Sequence, residues 1–324
     1  MHKVKLANGV EFLCEETQTI LDAARKNDIA IEHSCKNGRC GICIAKVTKG
    51  ETKAIRNEES ISSDELSSNK ILTCCRAPTN DINLNIKDLG EIGKIKTLTM
   101  PCRIDSISYY NSKVLKLILR LPPNNFFKFI PGQYLNLIIG DIKRSYSIAN
   151  SPREDNKIEL HVKKVESGKM SSILFSQSMK DDLLRFEGPL GTFSFRDDCE
   201  KNIIFLATGT GIAPIKALLE SFEDGYHKKD IYVFWGAQYE SDLYLDIKKL
   251  SSKIKFVPVL SRENINGFFY GHVQEAVLSL GIDLTISSVY ACGSEEMIVD
   301  ARKKLIINGL LNNRFYSDAF VSSN

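Results

Sequence analysis

The sequence predicts a multidomain chain of three consecutive parts: a β-grasp-like domain, an antiparallel β-barrel, and an α/β domain on a parallel sheet. Three observations carry this. At 324 residues the chain is long for a single core. Short strand patterns separated by turn signals crowd residues 97–197. From residue 200 the pattern changes to buried apolar strands alternating with helical stretches. The expected domains are therefore residues 1–92, 97–197 and 200–324.

The first domain opens with a hairpin signal. Val4 and Leu6 alternate, Asn8-Gly9 supplies the turn, and Val10 and Phe12 alternate again. Thr19 stands where an N-cap is needed for a short helix through Ile20, Leu21, Ala24 and Arg25. A cysteine-rich loop follows, then a strand IAKV, a polar stretch and the run ILTCC. The segment GEIGKIK, Gly90 to Lys96, reads as a linker because it is polar and glycine-bearing. The barrel begins with CRIDSISYY, where alternation puts Ile104 and Ser106 on one face and Asp105 and Ile107 on the other. VLKLILRL, YLNLII, RSYSIA and IELHVKKV continue it. In the last domain IIFLA, IYVFWG, FVPVL and SVYACG read as buried parallel strands.

The chemistry starts in the loop HSCKNGRCGIC. Cys35, Cys40 and Cys43 are spaced C-x4-C-x2-C, and Cys74 follows about thirty residues later. That is the ligand pattern of a plant-type [2Fe–2S] cluster, in which two irons take four thiolates. Gly38 and Gly41 let the backbone curl and bring amides toward sulfur. Zinc sites pair two close-spaced couples instead, and nine cysteines, an odd number, argue against a disulfide framework. Cys74 and Cys75 are adjacent, and only one is needed.

Two further sites follow. In Arg144-Ser145-Tyr146-Ser147, Arg144 and Tyr146 are two apart and share one strand face. They can offer a cation to a pyrophosphate and an aromatic face to a flavin ring, and Ser147 can add a hydrogen-bond donor. The turn GKMSS, Gly168 to Ser172, can take a phosphate through backbone amides and hydroxyls. The loop TGTGIAP, Thr208 to Pro214, leaves strand IIFLA and opens a helix. Its glycines allow close approach of a phosphate to the helix end, and Pro214 suits the first turn. Cys292-Gly293 ends another parallel strand, where ligands of open α/β sheets bind.

Composition is that of an ordinary globular protein: 43% hydrophobic, 26% charged, net charge +3. Nothing argues for nucleic acid, and no apolar stretch approaches the roughly 20 residues a membrane helix needs. No signal-peptide core follows Met1, and the free thiols favour a reducing compartment, so the expected location is the cytoplasm. Residues 1–90 hold 13 Lys plus Arg and 13 Asp plus Glu, which excludes steering by a strong net field. Cys14, Cys102 and Cys199 read as buried thiols, and Trp235 as packing. Ser261-Arg262 could meet a 2′-phosphate, or be a solvated loop.

HSCKNGRCGIC, ILTCC, RSYSIAN, GPLGTF, GTGIAP, YACGSEEM and FYSDAF occur in this order over nearly the whole chain. The sequence thereby resembles ferredoxin–NADP reductase-type flavoproteins with a plant-type ferredoxin fused at the N-terminus. Within that family KRSYSIAN, IELHV, ILTCC, VYACGS and YSDAFV are similar to the reductases of bacterial 3,6-dideoxysugar synthesis. A sister branch serves aromatic-ring dioxygenases and phenol hydroxylases.

The resemblance implies an FAD domain for the barrel and an NAD(P)H domain after it. Arg144 would hold the FAD pyrophosphate, Tyr146 would stack on the isoalloxazine and Ser147 would approach its N5. Ser171 would bind phosphate. Gly209, Thr210, Gly211 and Pro214 would shape the nucleotide site, with Cys292 and Gly293 near the nicotinamide and Phe320 shielding the flavin. Cys74 matches the cluster motif, with Cys75 where glutamine is commonest. The resemblance implies NADH as donor, with NADPH open. It implies a pyridoxamine-phosphate (PMP)-dependent dehydrase as acceptor, or else an oxygenase component. Because nicotinamide gives electrons in pairs and a [2Fe–2S] cluster takes them singly, FAD must stand between them. A non-enzymatic redox adaptor would not need these flavin and nucleotide motifs.

Overall fold

The structure, a computed structural model, describes residues 1–123, 126–196, 201–222, 229–251 and 253–320. Cys199 lies outside the described residues. The chain divides into two compact units, Met1–Lys96 with Gly191–Phe193, and Thr97–Leu190 with Ser194–Asn324.

In the first unit β1 (His2–Lys5) and β2 (Glu11–Cys14) form the hairpin the Asn8-Gly9 turn requires, with Gly9 at φ +84°. Helix α1 (Ile20–Lys26) starts at Thr19, whose hydroxyl accepts the Asp22 N–H at 3.1 Å. β3 (Ile44–Lys49), β4 (Thr52–Ala54), α2 (Ser63–Ser67), β5 (Lys70–Leu72), β6 (Arg76–Pro78) and β7 (Ile82–Leu84) follow. The sheet runs β2-β1-β7-β3-β5, with β4 and β6 paired separately. Ile20, Leu21, Ile31, Leu72 and Ile82 fill its core. The expected linker is built into the unit. Its middle is a helical turn, α3 (Glu91–Lys94), because Ile92 is buried and Gly93 lies so close to Asp28 that a Cβ would sit 2.2 Å from the Asp28 carbonyl oxygen.

The second unit begins with a six-stranded antiparallel barrel. Its strands are β8 (Leu98–Tyr109), β9 (Val114–Arg120), β10 (Tyr134–Ile139), β11 (Ile142–Ser147), β12 (Lys157–Lys163) and β13 (Leu183–Leu190), with α4 (Lys169–Ser176) between the last two. The order is β11-β10-β13-β8-β9-β12, and an Ile148–Leu160 bridge closes the ring. Simple alternation fails in β8. A bulge between Ile104 and Ser106 shifts the register, so Ile107 packs on the same core as Ile104. The GKMSS turn proves to be the start of a helix, α4.

The remaining elements are β14 (Asn202–Thr208), α5 (Ile212–Glu220), β15 (Asp230–Ala237), β16 (Ile254–Leu260), β17 (Phe269–Tyr270), α6 (Val273–Ser279), β18 (Ser287–Ser294), α7 (Glu295–Ile307) and β19 (Phe315–Phe320). They form a parallel sheet in the order β17-β16-β15-β14-β18-β19. The four expected strands are its centre; β17 and β19 extend it at both edges. The chain first builds outward from β14 through β15, then returns to its other side with β18. The turn after β14 thus lies at the topological switch point, where such sheets bind ligands.

Candidate functional site

In the first unit the cysteine loop is held tightly enough to face its own sulfurs. Lys36, Gly38 and Gly41 adopt φ of +63°, +79° and +71°. Backbone N–H groups of Asn37, Arg39 and Cys40 reach the Cys35 sulfur, and that of Gly38 reaches Cys74. Gly38 has no room for a side chain: a Cβ would lie 2.3 Å from the Asn57 carbonyl oxygen and 2.8 Å from the Cys75 sulfur. The sulfurs fall in two pairs. Cys43 and Cys74 are 3.2 Å apart, and Cys35 shares a hydrogen bond with Cys40. The hydrogen bond from Cys40 holds the Cys35 thiol down at about 5, and that from Cys43 holds Cys74 at about 7. Two sulfur pairs ringed by amides suit two bridged irons, one per pair, and the residues present therefore fit a [2Fe–2S] group.

The structure separates Cys74 from Cys75. The Cys75 sulfur lies 3.5 Å from that of Cys74, outside the close Cys43–Cys74 pair, and donates to the Asn57 carbonyl at 3.1 Å. Its thiol is pushed up to about 12, chiefly by burial. Cys74 is fixed from behind by Arg56, which donates to its carbonyl at 3.3 Å.

In the second unit Arg144 and Tyr146 share one face of β11 as their spacing requires, both half-buried, while Lys143 and Ser145 are exposed. Tyr146 packs against the barrel core, and burial pushes its phenol up to about 12. Ser147 is buried. Helix α4 packs against β11. Its N-cap, Gly168, offers no side-chain cap, so first-turn N–H groups remain for an anion. The Ser171 hydroxyl is spent inside that turn, accepting the Val165 N–H at 3.2 Å and reaching the Gly168 carbonyl at 3.0 Å. Ser171 thereby shapes the turn at the end of which the first-turn amides lie.

A cavity of about 950 Å³ opens at the carboxyl ends of the parallel strands, lined by Thr208, Gly209, Thr210, Gly236, Ser294 and Phe320 among others. Two glycines let β14 and β18 end side by side. A Cβ on Gly211 would lie 2.1 Å from the Cys292 carbonyl oxygen; one on Gly293, at φ +151°, would lie 2.0 Å from the Thr208 hydroxyl. Pro214 sits in the first turn of α5, which has no acidic residue there, whereas α7 is capped by Ser294 and opens with Glu295 and Glu296. Of the two helix ends, α5 is the one suited to phosphate. Cys292 is wholly buried, its thiol raised far above the ordinary range by burial, and its side chain does not line the cavity.

Three features escaped the sequence reading. Thr208 accepts the Ser294 N–H at 3.2 Å and locks the two strand ends together. Trp235 packs as expected but also donates from Nε1 to the Gly209 carbonyl at 2.9 Å. Glu159, His161 and Lys216 form a buried polar cluster. Burial alone would raise Glu159, but the His161 hydrogen bond and the Lys216 charge outweigh it and hold the carboxyl at about 2. The available signal was a Glu, a His and a Lys inside otherwise apolar runs, IELHV and IAPIKALLE.

Comparison with known proteins bears on this arrangement. Residues 4–79 match the 2Fe-2S iron-sulfur cluster binding domain, 101–195 the oxidoreductase FAD-binding domain, and 205–303 the oxidoreductase NAD-binding domain. The chain is 40% identical over 321 residues to the CDP-6-deoxy-L-threo-D-glycero-4-hexulose-3-dehydrase reductase of Yersinia pestis, covering 98% of this chain and 97% of that protein. The chain belongs to the family of iron–sulfur flavoprotein reductases. These reductases include reductase component 1 of terephthalate 1,2-dioxygenase from Comamonas sp, 30% identical over 99% of this chain and 98% of that one. The fold matches that of a cytochrome P450 reductase from Amycolatopsis, with a TM-score of 0.75, 24% identity and 99% of both chains covered. As an iron–sulfur flavoprotein reductase the chain is an oxidoreductase with domains for [2Fe–2S], FAD and NAD. Among the described residues no helix is long and apolar enough to cross a membrane.

Proposed function

We propose that the chain passes electrons from NAD(P)H through FAD and the [2Fe–2S] cluster to a PMP-dependent dehydrase, for C-3 deoxygenation of a CDP-4-keto-6-deoxyhexose. The observation that carries this reading is the end-to-end likeness to a dehydrase reductase at 40% identity, against 30% for an oxygenase reductase. The likeness to the oxygenase reductase keeps an oxygenase component as the second reading.

The residues divide the work. Cys35 and Cys40 would hold one iron, and Cys43 and Cys74 the other. Arg144 and the first turn of α4, with Ser171, would hold the flavin pyrophosphate, Tyr146 would cover the ring and Ser147 would approach its N5 edge. Gly209, Thr210 and Gly211 admit the nucleotide phosphates to the end of α5, with Pro214 fixing its first turn. Gly293 keeps the nicotinamide wall thin, Cys292 backs it, and Phe320, which lines the cavity, would shield the flavin ring. FAD held there would supply the conversion of a two-electron hydride into single electrons. The chain does not bind the sugar.

Tyr146→Ala is expected to lose most of its FAD on gel filtration, since a half-buried aromatic face is removed. An unchanged flavin-to-protein ratio would remove Tyr146 from the site. The function is tested by incubating the purified chain with a PMP-dependent dehydrase, NADH and a CDP-4-keto-6-deoxyhexose. The expected product is the 3-deoxygenated sugar, formed only when both proteins are present. Absence of product with a dehydrase that another reductase can drive would refute the assignment, and support of a Rieske or di-iron oxygenase instead would establish the second reading.

A further inference from the structure

We infer that Glu159 is a positioning residue for hydride transfer, tying both ends of the nucleotide turn to the flavin barrel through one buried network. This rests on the reading of Gly209–Gly211 as the nucleotide turn.

Glu159 lies mid-strand in β12 and is 4% exposed. Its backbone belongs to the barrel: the carbonyl accepts the Ala149 N–H at 2.8 Å, two residues beyond Ser147, and its N–H donates to Asn150 at 2.6 Å. Its carboxylate faces the other way, toward the nucleotide sheet, and two arms leave it. The first is ionic. Lys216 Nζ lies 3.2 Å from Glu159 Oε1 and also donates to the Ala149 carbonyl at 2.9 Å and to Glu220 at 2.5 Å. Lys216 is on α5, five residues after Gly211, so this arm grips the helix that leaves the turn. The second arm runs through His161, whose Nε2 is 2.9 Å from Glu159 Oε1 and whose Nδ1 is 3.1 Å from the Tyr244 hydroxyl. The Tyr244 ring meets Trp235 edge-on at 5.1 Å, and Trp235 donates to the carbonyl of Gly209, the first residue of the turn.

A neutral His161 satisfies both arms, Nε2–H donating to the carboxylate and Nδ1 accepting from Tyr244, and the Tyr110 hydroxyl, 3.4 Å from Nε2, is free to turn its proton to Glu159. Glu159 and Glu220 are then balanced by Lys216 and Arg153, which lies 3.6 and 3.3 Å from the two carboxylates. Buried ion pairs of this kind contribute little net stability compared with apolar packing, but they fix geometry, because breaking one leaves an uncompensated charge. Hydride transfer needs that fixity. Donor and acceptor atoms must lie about 3–3.5 Å apart, and an error of about 1 Å costs on the order of 100-fold in rate.

The test uses the full-length, flavin-loaded protein and two variants, Glu159→Gln and the milder Tyr244→Phe, which breaks only the second arm. Flavin content, NAD⁺ affinity from the flavin difference spectrum, and the first-order rate of flavin reduction by NADH are measured. The expected result is unchanged flavin content and NAD⁺ affinity within about threefold. The reduction rate should fall by about 100-fold in Glu159→Gln and about tenfold in Tyr244→Phe, with a weaker charge-transfer band between reduced flavin and NAD⁺. Reduction rates within twofold of wild type in both variants overturn the inference. So does loss of flavin or of soluble protein in both, which would make the network purely structural. A wild-type protein that binds NAD⁺ nowhere near Gly209–Gly211, judged by an unaltered affinity in Gly209→Ala, would instead break the underlying reading of the turn.

Discussion

Cys74→Ser is expected to yield a protein that keeps its flavin, still oxidises NADH with ferricyanide as acceptor, and has lost the [2Fe–2S] absorbance and the reduction of one-electron protein acceptors. The reason is local. The Cys74 sulfur is 3.2 Å from that of Cys43 and receives the Gly38 amide, so on the proposed assignment it would complete the second iron's ligand pair. A hydroxyl binds iron more weakly than thiolate does, and a cluster with three thiolates does not persist. The flavin side should be spared, because the two units have separate cores. Ferricyanide turnover is expected within about twofold of wild type, and cluster content below about a tenth of it. Cys75→Ser is the matched control. Its thiol serves as a donor to Asn57, a task serine can do, so the cluster should assemble. Iron and sulfide analysis with electron paramagnetic resonance of the reduced proteins decides the matter; loss of the cluster in Cys75→Ser and its survival in Cys74→Ser would reverse the ligand assignment.

The sequence was informative where chemistry forces short-range order. C-x4-C-x2-C, RSYS and TGTGIAP each pack their proposed chemistry into a few consecutive residues, and hairpin, capping and parallel-strand patterns placed them on the right elements. It was less informative where the determinant is tertiary. The bulge in β8 is invisible to alternation, since one extra residue changes which isoleucine faces inward without changing composition. The segment Gly90 to Lys96 reads as a linker because nothing local reveals that Gly93 packs on Asp28. Nothing local reveals that the Ser171 hydroxyl also closes its own turn, on Val165 and Gly168. The Glu159 network was hidden for a related reason. Its members come from β12, α5 and the stretch after β15, and only the docking of the barrel on the parallel sheet within the second unit brings them together. A charged residue in an apolar run signals a buried partner but does not say which one.

The same distinction sets the second prediction. Gly211→Ala is expected to lower kcat/KM for NADH by about 100-fold, equivalent to about 2.7 kcal/mol, while flavin and cluster stay bound. Gly211 has φ −59°, a conformation any residue can adopt, so backbone freedom is not why glycine stands there. Space is the reason. A Cβ would lie 2.1 Å from the Cys292 carbonyl oxygen, 2.6 Å from its carbon and 3.0 Å from the Gly293 nitrogen. All three are backbone atoms of a central strand and cannot rotate away, so the start of α5 must draw back from the end of β18. That separation moves the proposed phosphate seat and the nicotinamide wall apart, and hydride transfer is steep in distance. Gly209 supplies the contrast. It has φ +53°, where glycine is favoured, yet a Cβ there meets nothing within 4 Å, so Gly209→Ala strains the backbone by about 1 kcal/mol without pushing the strands apart. Gly209→Ala should therefore act mainly on nucleotide affinity, through space that a phosphate would otherwise occupy, and Gly211→Ala mainly on the first-order rate of flavin reduction. Stopped-flow reduction over a range of NADH concentrations separates the two, and a Gly211→Ala protein with a wild-type limiting rate would show that the close approach of α5 and β18 is not what aligns the hydride.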